Sequence, residues 1–484
     1  KRGSGTMSPE FHPAQALQSI SFVFVPLSGH PKLAFHFQEG RSGALTVSDG
    51  LASDGDSVGS VDSATGAAAD EKSRRVHSFP RSFFADFLCA KAQLCDAVMD
   101  ITIDNHRFIG YPSLLPSTAP EERRSDSGVK SFNVVFTLDR TELLRNRGEF
   151  HIPTACARAA QVLTKALKHE ELRCGYLTEQ IQQLRSWTPT QQDENTKGGL
   201  NVGSLSTVLI QTFQSLRAGT ITRVPVNGWL EVSLPPPYEP KEASLRDPIR
   251  PYQTFLPKDS DTSKLEALLP RGTSDVVRML LREANPCKSF EELEIELDVP
   301  IETVIRAAGH LVEWNLGMVT ETITKNNVYV VSSDAEIAID SRLYQDFEHF
   351  SGNVRDRRWS LPGLLLQFST PQTLAKQVEA LEGSERLVLE FIACLIWLIR
   401  SGLVTQLKTF IYLNLFDQSD EEKAEMLRSK YGKRDDYRVF LRLCNLFDGT
   451  HHVEDIMWRE NISRAELFKI VEAYDEVLTT CVHE

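Results

Sequence analysis

"HLVEWNLGMVTETITKNNVYVVSS", His310 to Ser333, changes pattern twice. It begins as the end of a helix whose apolar face is Ile301, Val304, Ile305, Ala308, Leu311 and Val312, the spacing of a single stripe. Asn315 to Gly317 then breaks that helix, because Asn and Gly tolerate the left-handed backbone at which helices end. The remainder reads as two short strands separated by Lys325-Asn326-Asn327, a small hairpin. Upstream, Ser289 with Glu292 three residues on is a capping box, opening a short helix with Phe290, Leu293 and Leu297 inside; Asp298-Val299-Pro300 turns the chain. Helix, turn, helix, hairpin is the order of a winged helix.

Charge decides how such a module is used. A duplex presents about one negative charge per 1.7 Å, and its ligands neutralise phosphates with Lys and Arg. Between Ser289 and Ser332 stand Glu291, Glu292, Glu294, Glu296, Asp298, Glu302, Glu313 and Glu321, against only Arg306 and Lys325. The second helix opens on Glu302 and Thr303, where a DNA reader carries Arg, Asn or Gln. The formal net charge of −13 acts in the same direction. A packing or protein-docking unit is the reading favoured; a nucleic-acid-binding winged helix is the alternative.

The pattern recurs. In "HHVEDIMWRENISRAELFKIVEAYDEVLTT" a short helix with Val453, Ile456 and Met457 inside meets a turn at Glu460 to Ile462. A helix capped by Ser463 and Glu466 follows, with Leu467, Phe468, Val471 and Tyr474 inside, and Ile462-Ser463 takes the place of Val299-Pro300. Between the copies, Leu387 to Ile399, Gly402 and "LVTQLKTFIYLNL" suggest a further helix-and-strand unit. Repetition of one small module suits an extended scaffold.

The N-terminal half reads differently. "ISFVFV" (Ile20 to Val25) and "KLAFHF" (Lys32 to Phe37) form a hairpin, and Glu39 to His77 is a Gly, Ser and Asp-rich insertion with little to bury, predicted to be disordered. An amphipathic helix follows through Phe84, Phe87, Leu88 and on to Lys91–Cys95; strands run over Ala97–Ile103, His106–Tyr111 and Ser131–Leu138. A long helix stripe from Ile152 to Leu167 resumes as Cys174, Leu177, Ile181 and Leu184, with a bend at Gly175. The order β-β-α-β-β-β-α predicts an α+β domain built on one five-stranded antiparallel sheet. Leu205–Leu216 reads as a helix and Gly228–Leu234 as a strand.

Eight cysteines without a CxxC pair, mostly in apolar periodic segments, read as buried reduced thiols of an intracellular protein. The most apolar run, Leu387 to Ile399, is too short for a bilayer and contains Glu390, so no transmembrane segment is predicted. There is no GxxxxGK[ST], no GxGxxG after a strand, no GxSxG and no HExxH. His451 and His452, if helical, point about 100° apart and cannot share a metal. His169 with Cys174 is either a ligand pair or, more plainly, a partly exposed histidine beside a packed thiol. No catalytic residue, cofactor or metal is assigned.

Several stretches together resemble the nitrogen permease regulator 3-like family, a subunit of the GATOR (yeast SEA) complex. They are "DNHRFIGYPSLL" (Asp104 to Leu115), "FNVVFTL" (Phe132 to Leu138), "HEELRCGYLT" (His169 to Thr178), "NGWLEVSL" (Asn227 to Leu234), "IRPYQTFL" (Ile249 to Leu256), "AAGHLVEW" (Ala307 to Trp314), "NNVYVVS" (Asn326 to Ser332) and "HHVEDIMWREN" (His451 to Asn461). The resemblance implies a longin domain at 19–187 with its insertion at 39–77, behind a flexible tail or expression remnant at 1–18. A linker at 188–202, a connecting segment at 203–260, a winged-helix module at 261–335, a helical module with a second winged-helix unit at 336–430 and a helix–turn–helix module at 431–484 complete the expected organisation.

It further implies a non-catalytic scaffold subunit of a GTPase-activating complex, paired through its longin domain with a nitrogen permease regulator 2-like subunit. With a DEP-domain subunit that complex acts on Rag GTPases at the lysosomal or vacuolar membrane, inhibiting TOR signalling when amino acids are scarce. The resemblance places the catalytic arginine on the partner; Arg123 and Arg124, in the corresponding loop here and following Glu121-Glu122, are either solvated loop charges or arginine-finger candidates. Phe84, Phe87, Leu88, Cys174, Leu177, Ile181 and Leu184 are the candidates for partner contact, with cover of their own sheet as the other reading.

Overall fold

The computed structural model describes residues 13–27, 29–38, 75–77, 79–116, 128–145, 151–186, 204–237, 248–333, 335, 342–353, 359–381, 385–414 and 420–483. The chain divides into two units, Lys1–Glu242 with Glu313–Asn315, and Ala243–Val312 with Leu316–Glu484.

In the N-terminal unit β1 (Leu17–Pro26) and β2 (Lys32–Gln38) form the first hairpin, and β3 (Arg75–Val76) pairs with β4 (Phe79–Pro80). The strands β5 (Met99–Ile103), β6 (His106–Gly110), β7 (Ser113–Leu114) and β8 (Val129–Asp139) follow. The antiparallel sheet runs β2-β1-β8-β6-β5, with β7 paired to β8, so the five predicted strands are joined by a sixth of two residues. Side chains of a strand point alternately to opposite faces, and here both faces are covered. Phe132, Val134, Phe136 and Leu138 of β8 enter one core with Ile20, Phe22 and Phe24 of β1, while Val135 and Val23 enter a smaller core on the other side. The larger core is closed by helices His151–Cys174, Tyr176–Ser186 and Leu205–Arg217 and by a hairpin of β9 (Thr222–Val226) and β10 (Leu230–Leu234). The smaller is closed by the helix Arg81–Leu88 through Phe84, Ala85 and Leu88.

That helix is shorter than its sequence pattern predicts. It stops at Leu88, Cys89 is extended, and Ala92–Leu94 forms only a 3-10 turn. The buried Asn133 of β8 donates Nδ2 to the Leu88 carbonyl at 2.8 Å, satisfying one of the carbonyls a helix end leaves open. Arg75–His77, at the end of the predicted insertion, is ordered by burial: Val76 is in the smaller core and the His77 ring bonds Ser19 Oγ at 2.7 Å. Residues 39–74 and the linker at 188–202 lie outside the described residues.

The C-terminal unit repeats one plan three times. A strand is followed by helices, the last two forming a helix–turn–helix, and a final strand returns antiparallel to the first. In the first copy β11 (Gln253–Pro257) pairs with β12 (Gly317–Glu321) around helices that include Phe290–Leu297 and Ile301–Glu313. In the second, β13 (Val328–Val331) pairs with β14 (Gln372–Thr373) and with the first half of β15 (Val404–Leu413). In the third, the second half of β15 pairs with β17 (Leu478–His483), while β16 (Asp448–His452) joins β15 beside it. The turns match: Asp298 (φ 53°) ends the first helix of one pair and Asn461 (φ 48°) that of another. Both predicted capping boxes, Ser289–Glu292 and Ser463–Glu466, are formed. The exits match too, with Leu316 N–H donating to Leu311 O after left-handed Asn315, and Leu403 N–H to Leu398 O after left-handed Gly402.

The predicted hairpin of residues 317–331 is not formed. Its strands belong to different sheets, β12 pairing with β11 and β13 with β15. Between them Thr322 Oγ1 donates to Tyr252 O and Ile323 N–H to Pro286 O, tying the connector to the first module. No helix among the described residues is long and apolar enough to cross a membrane.

Two predictions test this packing. A Cβ at Gly317 would collide with the Phe255 ring and the Leu256 carbonyl, so Gly317→Ala should destabilise the C-terminal unit by about 1–3 kcal/mol in denaturant unfolding. In the N-terminal unit three imidazoles cluster, His36 edge-on to His77 at 5.5 Å and His106 tilted against His77 at 4.9 Å. Burial lowers His36 from 6.5 to about 4; burial, then the neighbouring His36 and His106, lowers His77 to about 3. The unfolded chain therefore binds these protons first: the two groups should leave stability unaffected above pH 6.5 and lower it as pH drops from there to about 3, with His36→Gln/His77→Gln flattening the loss.

Candidate functional site

Two of the quoted sequence segments, "HEELRCGYLT" and "NGWLEVSL", meet in the N-terminal unit around one carboxylate. Glu170 lies near the end of the long helix with its side chain wholly excluded from water. Such a charge is costly unless donors surround it. Arg173 supplies Nε and Nη2 (2.8 Å from Nη2), Asn227 supplies Nδ2 at 2.7 Å, Trp229 supplies Nε1 at 3.1 Å, and the His169 ring lies at 3.1 Å. The Arg173 bonds lead, followed against the cost of burial by those from Asn227, Trp229 and His169, and together they hold the carboxyl at about 2. Asn227 and Gly228 both have positive φ, 50° and 74°, a type I′ turn closed by Trp229 N–H to Val226 O. Trp229, a residue 56% exposed, is thus brought beside Glu170, and the Arg173 guanidinium sits 5.0 Å from its ring centre.

The C-terminal unit contains a second centre of the same kind, joining "IRPYQTFL" to "HHVEDIMWREN". Asp455 is buried on helix Val453–Glu460. Its Oδ2 accepts from Arg459 Nε at 2.7 Å and lies 2.8 Å from His451 Nδ1; its Oδ1 faces Arg250 Nε at 3.7 Å and the Tyr252 hydroxyl at 3.5 Å. Burial pushes the carboxyl up, but the bonds from Arg459 and His451 and the charges of Arg459 and Arg250 outweigh it and hold it below its usual range. Arg250 also stacks 4.9 Å from the Trp458 ring centre. His451 and His452 close a strand, not a helix, and part company: His452 Nδ1 turns to Glu454 at 3.2 Å. Among the described residues no group of three His, Cys, Asp or Glu could hold a metal.

The other predicted residues are placed as follows. Phe84, Leu88, Leu177 and Ile181 are buried in the cores of their own unit, Leu184 packs against the larger core, and Phe87 lies half-buried between Phe83 and Phe108. Cys174 is exposed, its thiol donating to the Glu170 carbonyl at 3.3 Å. Cys287 and Cys481 are exposed as well, while Cys156 and Cys394 are buried; the prediction of generally buried thiols is corrected, since several of these cysteines sit at element ends. Arg123 and Arg124 lie outside the described residues. On the helix Ile301–Glu313 the outer positions include Glu302, Arg306 and Glu313, and Ile295 stands 82% exposed among the carboxylates of the helix before it. Sequence reading missed strand β9, although Asn227-Gly228 is the strongest short hairpin signal. Nothing local in the sequence marks Glu170 or Asp455.

Fold and site together define a multi-module polypeptide in which repeated helix–turn–helix units follow an α+β sheet domain, with ionic junctions between distant segments. Residues 239–418 match the family model described as nitrogen permease regulator of amino acid transport activity 3, and 424–479 that of the GATOR1 complex protein NPRL3, C-terminal HTH. The chain thus carries matches to two domain models of the nitrogen permease regulator 3 and NPRL3 type, in its C-terminal half. It is 24% identical to the GATOR complex protein NPRL3 of Drosophila melanogaster over 72% of this chain and 58% of that protein. It is 23% identical to nitrogen permease regulator 3 of Candida albicans, over 69% of this chain and 54% of the relative. The chain thus spans about half the length of these relatives.

Asp455→Ala should leave Arg250 and Arg459 without their shared counter-charge and destabilise the C-terminal unit by about 3 kcal/mol at neutral pH, read by denaturant unfolding. Because the folded carboxyl is depressed below 3.8, the difference from the unsubstituted chain should be full above that pH and shrink as pH falls below it.

Proposed function

We propose that the chain is a non-catalytic scaffold subunit of a GTPase-activating complex that restrains TOR signalling when amino acids are scarce. Residues 19–187 form a longin-type domain that pairs with a nitrogen permease regulator 2-like subunit. Through the complex it meets a DEP-domain subunit and Rag GTPases at the lysosomal or vacuolar surface, and the catalytic arginine comes from the partner.

The observation that carries this reading is the match to the two domain models, with a first helix–turn–helix whose helix Phe290–Leu297 is strongly acidic. Glu302, exposed at the start of one second helix where a DNA reader carries a donor, favours contact with polypeptides over phosphate backbones. The strand order β2-β1-β8-β6-β5 supports the longin assignment, since it is the topology that the β-β-α-β-β-β-α sequence order implies for that domain.

Co-expression with the nitrogen permease regulator 2-like subunit should yield a complex that survives size exclusion, and addition of the DEP-domain subunit should accelerate Rag GTP hydrolysis. Arg123→Ala/Arg124→Ala should leave that turnover unchanged, whereas a fall of a hundredfold or more would make this chain the source of the finger. Sequence-selective DNA binding by the purified chain that weakens steeply with salt, without partner binding, would overturn the proposal.

A further inference from the structure

We propose that residues 75–79 form an acid-released latch on the N-terminal unit: proton uptake by the cluster of His77 with His36 and His106 lifts this short hairpin off the sheet while the strands beneath it stay paired.

The hairpin is fastened at few points. Strands β3 and β4 have two residues each and pair with one another, so among the described residues no ladder joins them to the sheet β2-β1-β8-β6-β5. Side chains make the attachment instead. Val76 enters the smaller core beside Val23, Leu33 and Phe84, and the His77 ring bonds Ser19 Oγ at 2.7 Å and lies 6.4 Å from the Phe84 ring. His77 also has a φ of 47°, a left-handed backbone that a residue with a Cβ keeps only while its surroundings hold it there. Short segments with few buried contacts are the ones that open locally before a domain unfolds.

The ring that fastens the hairpin is also the one a proton disturbs most. An imidazolium at His77 would be short of water and would face His36 of β2 at 5.5 Å and His106 of β6 at 4.9 Å. Arg81, at the start of the helix Arg81–Leu88, adds a positive charge toward His36. The groups of β1 and β2 that meet the rings, Ser19, Ser21 and Gln38, are neutral and offset none of this charge. The carboxylates on this side, Asp104 and Asp139, act on His106, whose pKa burial nevertheless lowers. Lifted into water, His77 regains its ordinary pKa of about 6.5, against about 3 in place. The open form therefore binds the proton more tightly, and linkage through His77 alone multiplies the open population about tenfold between pH 7.5 and 5.5. Uncovering His36, held at about 4, adds to that factor.

The test is amide hydrogen exchange on the full chain, followed by mass spectrometry of peptides covering 75–79 and, within β8, 131–138, with rates corrected for the chemical exchange rate at each pH. Protection of 75–79 should fall tenfold or more between pH 7.5 and 5.5 while that of 131–138 holds. His77→Phe, which keeps a buried ring without a titrating nitrogen, should shrink the pH dependence, and His36→Gln should shrink it less. Should His77→Phe leave the hairpin open already at pH 7.5, the profile of the unsubstituted chain and of His36→Gln decides. Protection at 75–79 that ignores pH, or that falls in step with 131–138, overturns the inference. An undiminished pH dependence in a closed His77→Phe chain does the same.

Discussion

A carboxylate taken out of water must be met by donors, and in this protein the donors come from far along the chain. Asp455 is faced by Arg250 and Tyr252, which lie roughly two hundred positions earlier, as well as by its neighbours His451 and Arg459. The first and third helix–turn–helix modules are held to each other by that requirement, because separating them would leave a buried charge poorly compensated. Glu170 imposes the same condition on the N-terminal unit, binding the end of the long helix to the β9–β10 turn. Each is a directional constraint that apolar packing alone would not supply.

Backbone hydrogen bonding adds a second tie in the C-terminal unit. Strand β15 gives its first half to β13 and its second half to β17, so the second and third modules share one continuous strand. A strand that serves two modules cannot change register in one without disturbing the other. The three copies are therefore not independent beads, despite their common plan and separate cores around Phe391 and Tyr474.

This construction bears on the proposed role. A scaffold has to present surfaces in a set arrangement, and ionic junctions and a shared strand both favour that within a unit. The fold used for this is one that in other settings reads nucleic acid, but function resides in the surface side chains carried by a fold and not in the fold itself. Here Glu302 occupies an outward position at the start of the second helix of the first module. The exposed apolar residues are the complement of that polarity: Ile295 and Trp229 stand out of the surface where a charged residue would cost nothing.

Local features were legible from the amino acids alone. The capping boxes at Ser289 and Ser463, the αL turns at Asp298 and Asn461, the Gly175 bend and the alternation in β1 and β8 all depend on residues within a turn or a strand of one another, so their physics is written in adjacent letters. The acidic character of the helix–turn–helix face was equally plain. Tertiary structure decided the rest. Whether β12 pairs with β13 or with β11 depends on which distant backbone offers the better ladder, and the helix at Arg81 ends at Leu88 because Asn133, 45 positions later, takes its carbonyl. Likewise Phe84 and Leu177 have the same amphipathic spacing whether they face a partner or their own sheet; only the presence of β1, β6 and β8 beneath them determines that they are buried. A buried ion's solvation and a strand's choice of neighbour are set by segments that proximity in sequence does not reveal.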